Sequence, residues 1–518
     1  MIQINNLELT HMKDLRILLT EFNLVINKND KIAIIGEEGN GKSTLLKYIY
    51  NRETIVDYIV VKGNLIIKDE TIGYLPQELD ENNLNLSVYN YLLNNNFFDY
   101  GYDEQMKLAI KLDFPFDLFY SSNLIKTLSG GEKVKLQLIL LLISKPSVLL
   151  LDEPSNDLDI DSLIVLEKVI KEFDGAVLFI SHDEVLIQNC ANRIVHIKSL
   201  RRKTKAIYTI YNGSYDEYIN KLDNDIASQN RKAKFDMKQK KLRDEKLDRI
   251  YKSVDHALNT ISRSNPSEAK NLKDKMRSVK SMEKRFSKED ENMTKFAENE
   301  EAINLKEIVK RTPLPKNKVV LDLHLDKLIV DNKILSNNID LVVVGNEHIG
   351  IIGNNGVGKS TLLKYIYSNL KQRKDLKVGY IPQNYEDELD LSQSLIEYLS
   401  TSNDKDYLSK MRTFLAALKF TYEEMEHKIS QLSGGQKVKA LILKLLLNDY
   451  NVLILDEPTR NLSPLSNPVF RDLLRKFDGM IISISHDRKY LNEVVDKLYK
   501  LDVSGLKEVS KEILFESN

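Results

Sequence analysis

The sequence predicts an α/β protein in which two phosphate-loop domains are joined by a long α-helical hairpin. Three observations predict it. A set of short motifs occurs twice in the same order. Each copy places a β-branched apolar run ahead of a glycine-rich loop and a helix-like segment. Between the copies the sequence turns rich in Lys, Asp and Glu, with almost no glycine or proline. The expected boundaries are residues 1–214 for the first domain, 215–317 for the hairpin and 318–518 for the second domain. A chain of 518 residues has room for such a division, because a single core stops growing well below that size.

The duplication is exposed by self-comparison. GEEGNGKSTLLKYIY from Gly36 returns as GNNGVGKSTLLKYIY from Gly353, YLPQ at Tyr74 as YIPQ at Tyr380, and LSGGEKVK at Leu128 as LSGGQKVK at Leu432. LLLDEPS ending at Ser155 returns as LILDEPT ending at Thr459, and LFISHD ending at Asp183 as ISISHD ending at Asp487. Spacing repeats too: Ser129 to Asp152 and Ser433 to Asp456 are both 23 residues, and Glu153 to His182 and Glu457 to His486 are both 29. Each copy reads as strand, phosphate loop, helix, a helical stretch and then apolar strands such as Val148 to Leu151 and Ala176 to Ile180.

The intervening segment reads as helix. Leu247, Ile250, Val254, Leu258 and Ile261 recur in steps of three and four, as do Leu272, Met276, Val279, Met282 and Phe286, so each helix carries one apolar stripe and the stripes are expected to face each other. Ser262 to Ser267 supplies the turn, with Asn265 as the expected N-cap and Pro266 at the first helical position. A helix from Tyr215 to Ile261 would be on the order of 70 Å long at about 1.5 Å per residue.

Composition excludes several classes. Hydrophobic residues make up 42% and charged residues 29%, and the net charge of −1 gives no global sign of a polyanionic partner. The basic surplus is local: residues 231–280 hold 16 Lys and Arg against 7 Asp and Glu, the pattern that supplies phosphate contacts to nucleic acid. Cys190 is the only cysteine, so a disulfide within the chain is impossible and a cytoplasmic location is expected. The start MIQINNLELT lacks a basic-then-apolar leader, and the longest apolar runs fall far short of the roughly 18 residues that span a bilayer, so no membrane domain is expected.

G-x-x-x-x-G-K-S is chemically demanding. Gly36, Gly39 and Gly41, and Gly353, Gly356 and Gly358, let backbone N–H groups close on phosphate oxygens at a helix N-terminus. Lys42 and Lys359 are placed for the β and γ phosphates; Thr44 and Thr361 follow in the same helices. Ser43 and Ser360 are candidate Mg²⁺ ligands through their hydroxyls, with Asp152 and Asp456 holding the ion's water shell. Glu153 and Glu457, next in sequence, are candidate general bases for an attacking water.

These motifs resemble the ATP-binding-cassette superfamily over nearly all of both halves, with LSGGE and LSGGQ as its signature. The resemblance implies ATP and Mg²⁺ as cofactors, ATP hydrolysis, and two cassettes closing head to tail within a monomer that needs no other subunit. Lys42 would then share a site with Ser433, Gly434, Gly435 and Gln436, and Lys359 with Ser129, Gly130, Gly131 and Glu132. Gln77 and Gln383 match the family's glutamine loop, which approaches Mg²⁺ and the attacking water; His182 and His486 match its γ-phosphate histidine.

Two cassettes fused through a hairpin resemble the ABC-F proteins, which implies the bacterial 70S ribosome as partner, through rRNA and the P-site tRNA, with binding near the tRNA exit site. PTRNLSPLSNP and the overall length look like the antibiotic-resistance branch of the Vga and Lsa type, which implies ATP-gated displacement of pleuromutilins, lincosamides and streptogramin A compounds. A housekeeping ABC-F translation factor and the ATPase subunit of a transporter are the alternatives. The 51 residues from Gln77 to Leu128, against 49 from Gln383 to Leu432, leave no room for the long arm that many housekeeping relatives insert there.

The halves also differ. Glu37 and Glu38 stand in the first phosphate loop where the second has Asn354 and Asn355, and carboxylates turned inward would weaken anion binding. Ser463 stands where the family's aspartate is expected. Neither half has an aromatic just upstream of its phosphate loop to stack on a base, and His11 is the nearest substitute, so preference for ATP over GTP rests on the resemblance.

Overall fold

Alternating apolar residues start the chain as a strand: Ile2, Ile4, Leu7 and Leu9 are buried while their neighbours are less so. The phase slips by one residue at Asn6, whose φ of 49° bends the strand and shifts its register against both neighbours. The computed structural model describes residues 1–200, 205–260, 266–291, 293–294, 314–330, 333–400, 404–418, 420–460 and 462–515. They form two compact units, one of Met1–Tyr215 with Glu300–Asn518 and one of Asp216–Asn299.

The first α/β domain uses nine strands: β1 (Ile2–His11), β2 (Ile17–Ile26), β3 (Lys31–Ile35), β4 (Ile59–Ile67), β5 (Ile72–Leu75), β6 (Val148–Asp152), β7 (Ala176–Ile180), β8 (Arg193–Leu200) and β9 (Lys205–Asn212). Six form a sheet in the order β5-β6-β7-β3-β8-β9, parallel except for β9. Continuous burial of β3, β6 and β7 explains their unbroken apolar sequences, since both faces are covered. β2, β1 and β4 make an antiparallel sheet that packs into the same core through Phe22, Leu45 and Ile180.

The second domain repeats this with β10 (Val319–Val330), β11 (Lys333–Val344), β12 (His348–Ile352), β13 (Val378–Ile381), β14 (Val452–Asp456), β15 (Met480–Ile484), β16 (Lys497–Asp502) and β17 (Gly505–Val509). The sheet order β13-β14-β15-β12-β16-β17 is that of the first domain, position for position. The domains are docked: Ile160 of the first belongs to a core cluster otherwise built from the second.

The other unit is a helical hairpin whose helices span Tyr215–Thr260 and Pro266–Glu291. Val254 and Val279, one from each stripe, are its buried centre, while Ile250 and Met282 from the same stripes remain exposed. Arg243 ties the helices together, donating to Asp290 Oδ1 at 2.5 Å and lying 4.5 Å from the Phe286 ring centroid. Pro266 opens its helix at the expected position; Asn265 and the turn residues 262–265 lie outside the described residues. Among the described residues no helix is long and apolar enough to cross a membrane.

Candidate nucleotide sites

Each phosphate loop leaves the buried end of a central strand, β3 or β12, and turns into a helix, Lys42–Tyr50 or Lys359–Lys371. The turn requires glycine at Gly36 and Gly353. Their φ values are 146° and 149°, and an added Cβ would sit 2.3 Å from the carbonyl oxygens of Ile197 and Leu501. The lysines fold back into their loops. Lys359 Nζ donates to Gly353 O at 2.7 Å and Asn354 O at 3.0 Å, and Lys42 Nζ to Gly36 O and Glu37 O, both at 2.9 Å. Burial pulls the Lys359 ammonium's pKa below its ordinary value.

The signature serines are helix caps. Ser129 and Ser433 cap helices Gly130–Ile143 and Gly434–Leu447, and each forms a capping box with the residue three positions on, Glu132 or Gln436. S-G-G-E/Q is thus a sequence-coded helix start that aims backbone N–H groups outward.

At the second phosphate loop the domains enclose a cavity of about 820 Å³. Lys359, Ser360, Thr361, Gln383, Asp456, Glu457 and His486 line it from one side, and Ser129, Gly130 and Glu132 from the other. Gly356 and Gly358 also line it, whereas Gly353 and Gly131 turn toward Leu501 and Ser162. Ser360 hydrogen-bonds Asp456, whose carboxyl is raised by burial. Asp456 Oδ2, Glu457 Oε1 and His486 Nδ1 are buried without a hydrogen-bond partner among the described residues. Buried polar atoms are rarely left so, and this set converges where a magnesium-bound triphosphate would be held, so the residues fit that group. Burial beside Asp456 pushes the Glu457 carboxyl up to about 8, and burial beside the Lys359 ammonium pushes His486 down to about 3.

The first phosphate loop is arranged differently. Ser43 Oγ donates to Asp152 Oδ1 at 2.9 Å, and Tyr74 OH to Asp152 Oδ2 at 3.3 Å. Glu153 is fully engaged: His182 Nε2 lies 3.2 Å away, Asn156 Nδ2 donates at 2.6 Å and Gln77 Nε2 at 3.3 Å. Burial works to raise its carboxyl, but the hydrogen bond and charge of His182, with Lys42 and Asn156, hold it down at about 2. His182 Nδ1 in turn meets Leu462 O of the second domain at 2.8 Å. Glu153 and Glu457 both have φ near 50°, a conformation uncommon for a glutamate and one that recurs at functional sites.

The second domain's signature here faces carboxylates. Gly435 N–H donates to Glu38 Oε2 at 2.7 Å, and Lys439 Nζ lies 3.6 Å from Glu37. The space between Glu37, Glu38, Ser433, Gly435, Gln436 and Ser463 is only about 30 Å³. The two departures noted in the sequence therefore meet. Across the larger site Asn355 N–H donates to Asp159 Oδ2 at 3.3 Å, an amide residue against an acid; here Glu38 stands in the loop and Ser463 where the acid would be, so two carboxylates are never set face to face. His11 pairs with Asp14, and Arg16 instead reaches the first loop through Asn40 Oδ1 at 3.4 Å. No Phe or Tyr lines the larger cavity among the described residues; Lys333 and Leu335 occupy its upstream edge.

A family model described as "ABC transporter" matches residues 19–156 and 336–460. Similar proteins include the ATP-binding protein Uup of Buchnera aphidicola (31% identical, covering 93% of this chain and 78% of that protein). The putative ATP-binding protein YdiF of Bacillus subtilis is 27% identical over 98% of this chain and 81% of that one. Among solved structures, the archaeal ribosome recycling factor aABCE1, in complex with the ribosomal stalk protein aP1, shares the fold with a TM-score of 0.61. It is 16% identical, covering 98% of this chain and 90% of that chain.

Proposed function

Because the chain belongs to the ATP-binding-cassette family and is of the ABC-F type, we propose that it is an ATP hydrolase that couples closure of its two cassettes to binding of the bacterial ribosome near the tRNA exit site. The catalytic half of this reading is carried by the cavity that brings Lys359, Asp456, Glu457 and His486 against Ser129 and Gly130. Magnesium bound with ATP supplies a γ-phosphate polarised for attack. Ser360 and Asp456 would hold the ion, and Lys359 would exchange its loop carbonyls for phosphate oxygens. The signature helix would present its free N–H groups to the γ-phosphate. Glu457 would take the proton of the attacking water, with His486 and Gln383 orienting it. Ser43, Asp152, Glu153, His182 and Gln77 take the same parts in the first cassette, where Lys42 replaces Lys359.

The ribosomal half rests on the hairpin, whose basic surplus in residues 231–280 suits rRNA phosphates. The test is co-sedimentation with 70S ribosomes of a Glu153→Gln/Glu457→Gln protein, with and without ATP. Pelleting that depends on ATP is the expected result; equal pelleting removes the coupling, and none at moderate salt removes the ribosome. Two roles on the ribosome are consistent with this reading: protection against pleuromutilins, lincosamides and streptogramin A drugs, motivated by PTRNLSPLSNP and chain length, and a housekeeping step of translation, to which the Uup-type relatives are equally suited. Inhibitory concentrations in a susceptible host separate them. Increased tolerance to these drugs supports protection, and unchanged values leave the housekeeping role.

A further inference from the structure

From the LSGG signature onward the motifs repeat at an offset of 304 residues, which relates Glu153 to Glu457 and His182 to His486. The same offset relates Glu167 to Arg471 and Glu184 to Arg488, positions where the two copies carry opposite charge. The structure brings these four side chains together across the cassette interface. Arg488 donates to Glu167 Oε1 at 2.5 Å, and Arg471 to Glu184 through both terminal nitrogens, at 2.5 and 3.3 Å. The two bridges are counterparts under the approximate two-fold axis that relates the cassettes. All four side chains are buried, with 2% to 8% of their surface exposed. Asp183 joins Arg488 at 3.2 Å, and Lys489 joins Glu184 at 3.2 Å. In each bridge the first cassette supplies the acid and the second the base, and the rim pairs Arg460–Asp157 and Lys500–Asp161 follow the same rule.

We infer that this segregation of charge is a pairing code: it directs each first cassette to a second cassette and rejects like with like. A symmetric pair of first cassettes from two copies would set Glu167 against Glu184 twice, burying four carboxylates with only the half-exposed Lys171, 3.9 Å from Glu167, as a cation of their own cassette. A pair of second cassettes would set Arg471 against Arg488 twice; Arg471 keeps the half-exposed Glu493 of its own cassette at 2.9 Å, but Arg488 loses both Glu167 and Asp183. A buried ion pair adds little net stability over an apolar contact, but a buried charge without its partner is strongly unfavourable, so the gain lies in discrimination. The nearest competitor of each cassette is its own duplicate, identical over the whole STLLKYIY run and alike in strand order. Shape alone would not separate the two.

The test uses full-length chains. Glu167→Arg with Glu184→Arg makes an all-basic interface, and Arg471→Glu with Arg488→Glu an all-acidic one; each alone should lose cassette pairing, by more than about a hundredfold in the pairing equilibrium. Mixed in equal amounts, the two should form a heterodimer of two chains, seen by light scattering on a sizing column, and recover ATP hydrolysis. The fourfold variant with all charges exchanged should return to a single chain with hydrolysis near that of the unmodified protein. Recovery in the mixture and the exchanged chain supports the code even if each parent alone folds poorly. If the all-basic chain stays monomeric and fully active, or neither the mixture nor the exchanged chain recovers, the code is wrong.

Discussion

Replacing Glu38 with Asn, the residue of the second phosphate loop at that position, should tighten nucleotide binding at the first site. Glu38 Oε2 accepts the Gly435 N–H at the start of the second cassette's signature helix, where a γ-phosphate would seek the same donor. A bound nucleotide must therefore displace the carboxylate. A hydrogen bond to a charged acceptor contributes about 1.5–3 kcal/mol when sheltered, but Glu38 is exposed, and screening reduces the competition to about 1 kcal/mol. Removing it corresponds to about a fivefold gain in affinity. The measurement is a titration with a fluorescent ATP analogue in a chain whose second site is silenced by Lys359→Met, with and without Glu38→Asn. Glu38→Gln, which keeps the shape and removes the charge, should give most of the gain. Unchanged or weaker binding in both variants would refute the idea that the carboxylate competes with phosphate.

Two further outcomes are expected. Glu153→Gln with Glu457→Gln should lower steady-state hydrolysis by at least about a hundredfold while nucleotide binding persists, and phosphate release near the original rate would exclude these residues as bases. Cys190 is 7% exposed, and burial, reinforced by Glu167, pushes its thiol up to about 12. Since a raised pKa leaves almost no thiolate at pH 8, the folded protein should resist iodoacetamide and react once denatured; mass spectrometry showing rapid modification of the native chain would contradict the packing.

The motifs were legible because their chemistry fixes residue type at fixed spacing. S-G-G-E/Q is at once a family signature and a capping box, so its helix start could be read from four letters. The hairpin was legible from periodicity, since Val254 and Val279 lie on the stripes that meet. The antiparallel sheets of β1, β2 and β4 and of β10 and β11 were not anticipated, because the slip at Asn6 in β1 and the register shifts at Val319/Leu321 and Leu328/Ile329 in β10 break the alternation that signals a half-buried strand. Nor can adjacency of β7 to β3, across about 140 residues of chain, be read from local pattern. Glu37, Glu38 and Ser463 stood out as departures, yet that they share one small space depends on how two cassettes dock. Glu167 and Arg471 carried no local signal at all. Only the duplication offset marks them, and only contact gives that offset a meaning.

The lysines folded into their phosphate loops bear on how fast the protein can respond to ATP. Lys359 and Lys42 bind the carbonyls of their own loops, so each loop is folded around a cation that belongs to it. Ordering an unstructured stretch would cost about 1–2 kcal/mol per residue of backbone. With the loop preformed, capture needs only a side-chain rotation that exchanges two or three carbonyl contacts for phosphate oxygens, a motion of picoseconds to nanoseconds for an unhindered chain and slower for these buried ones. Encounter with nucleotide, not folding of the loop, should then limit the rate at which the sites fill, and the slower movements of the whole protein would follow a signal that has already been received.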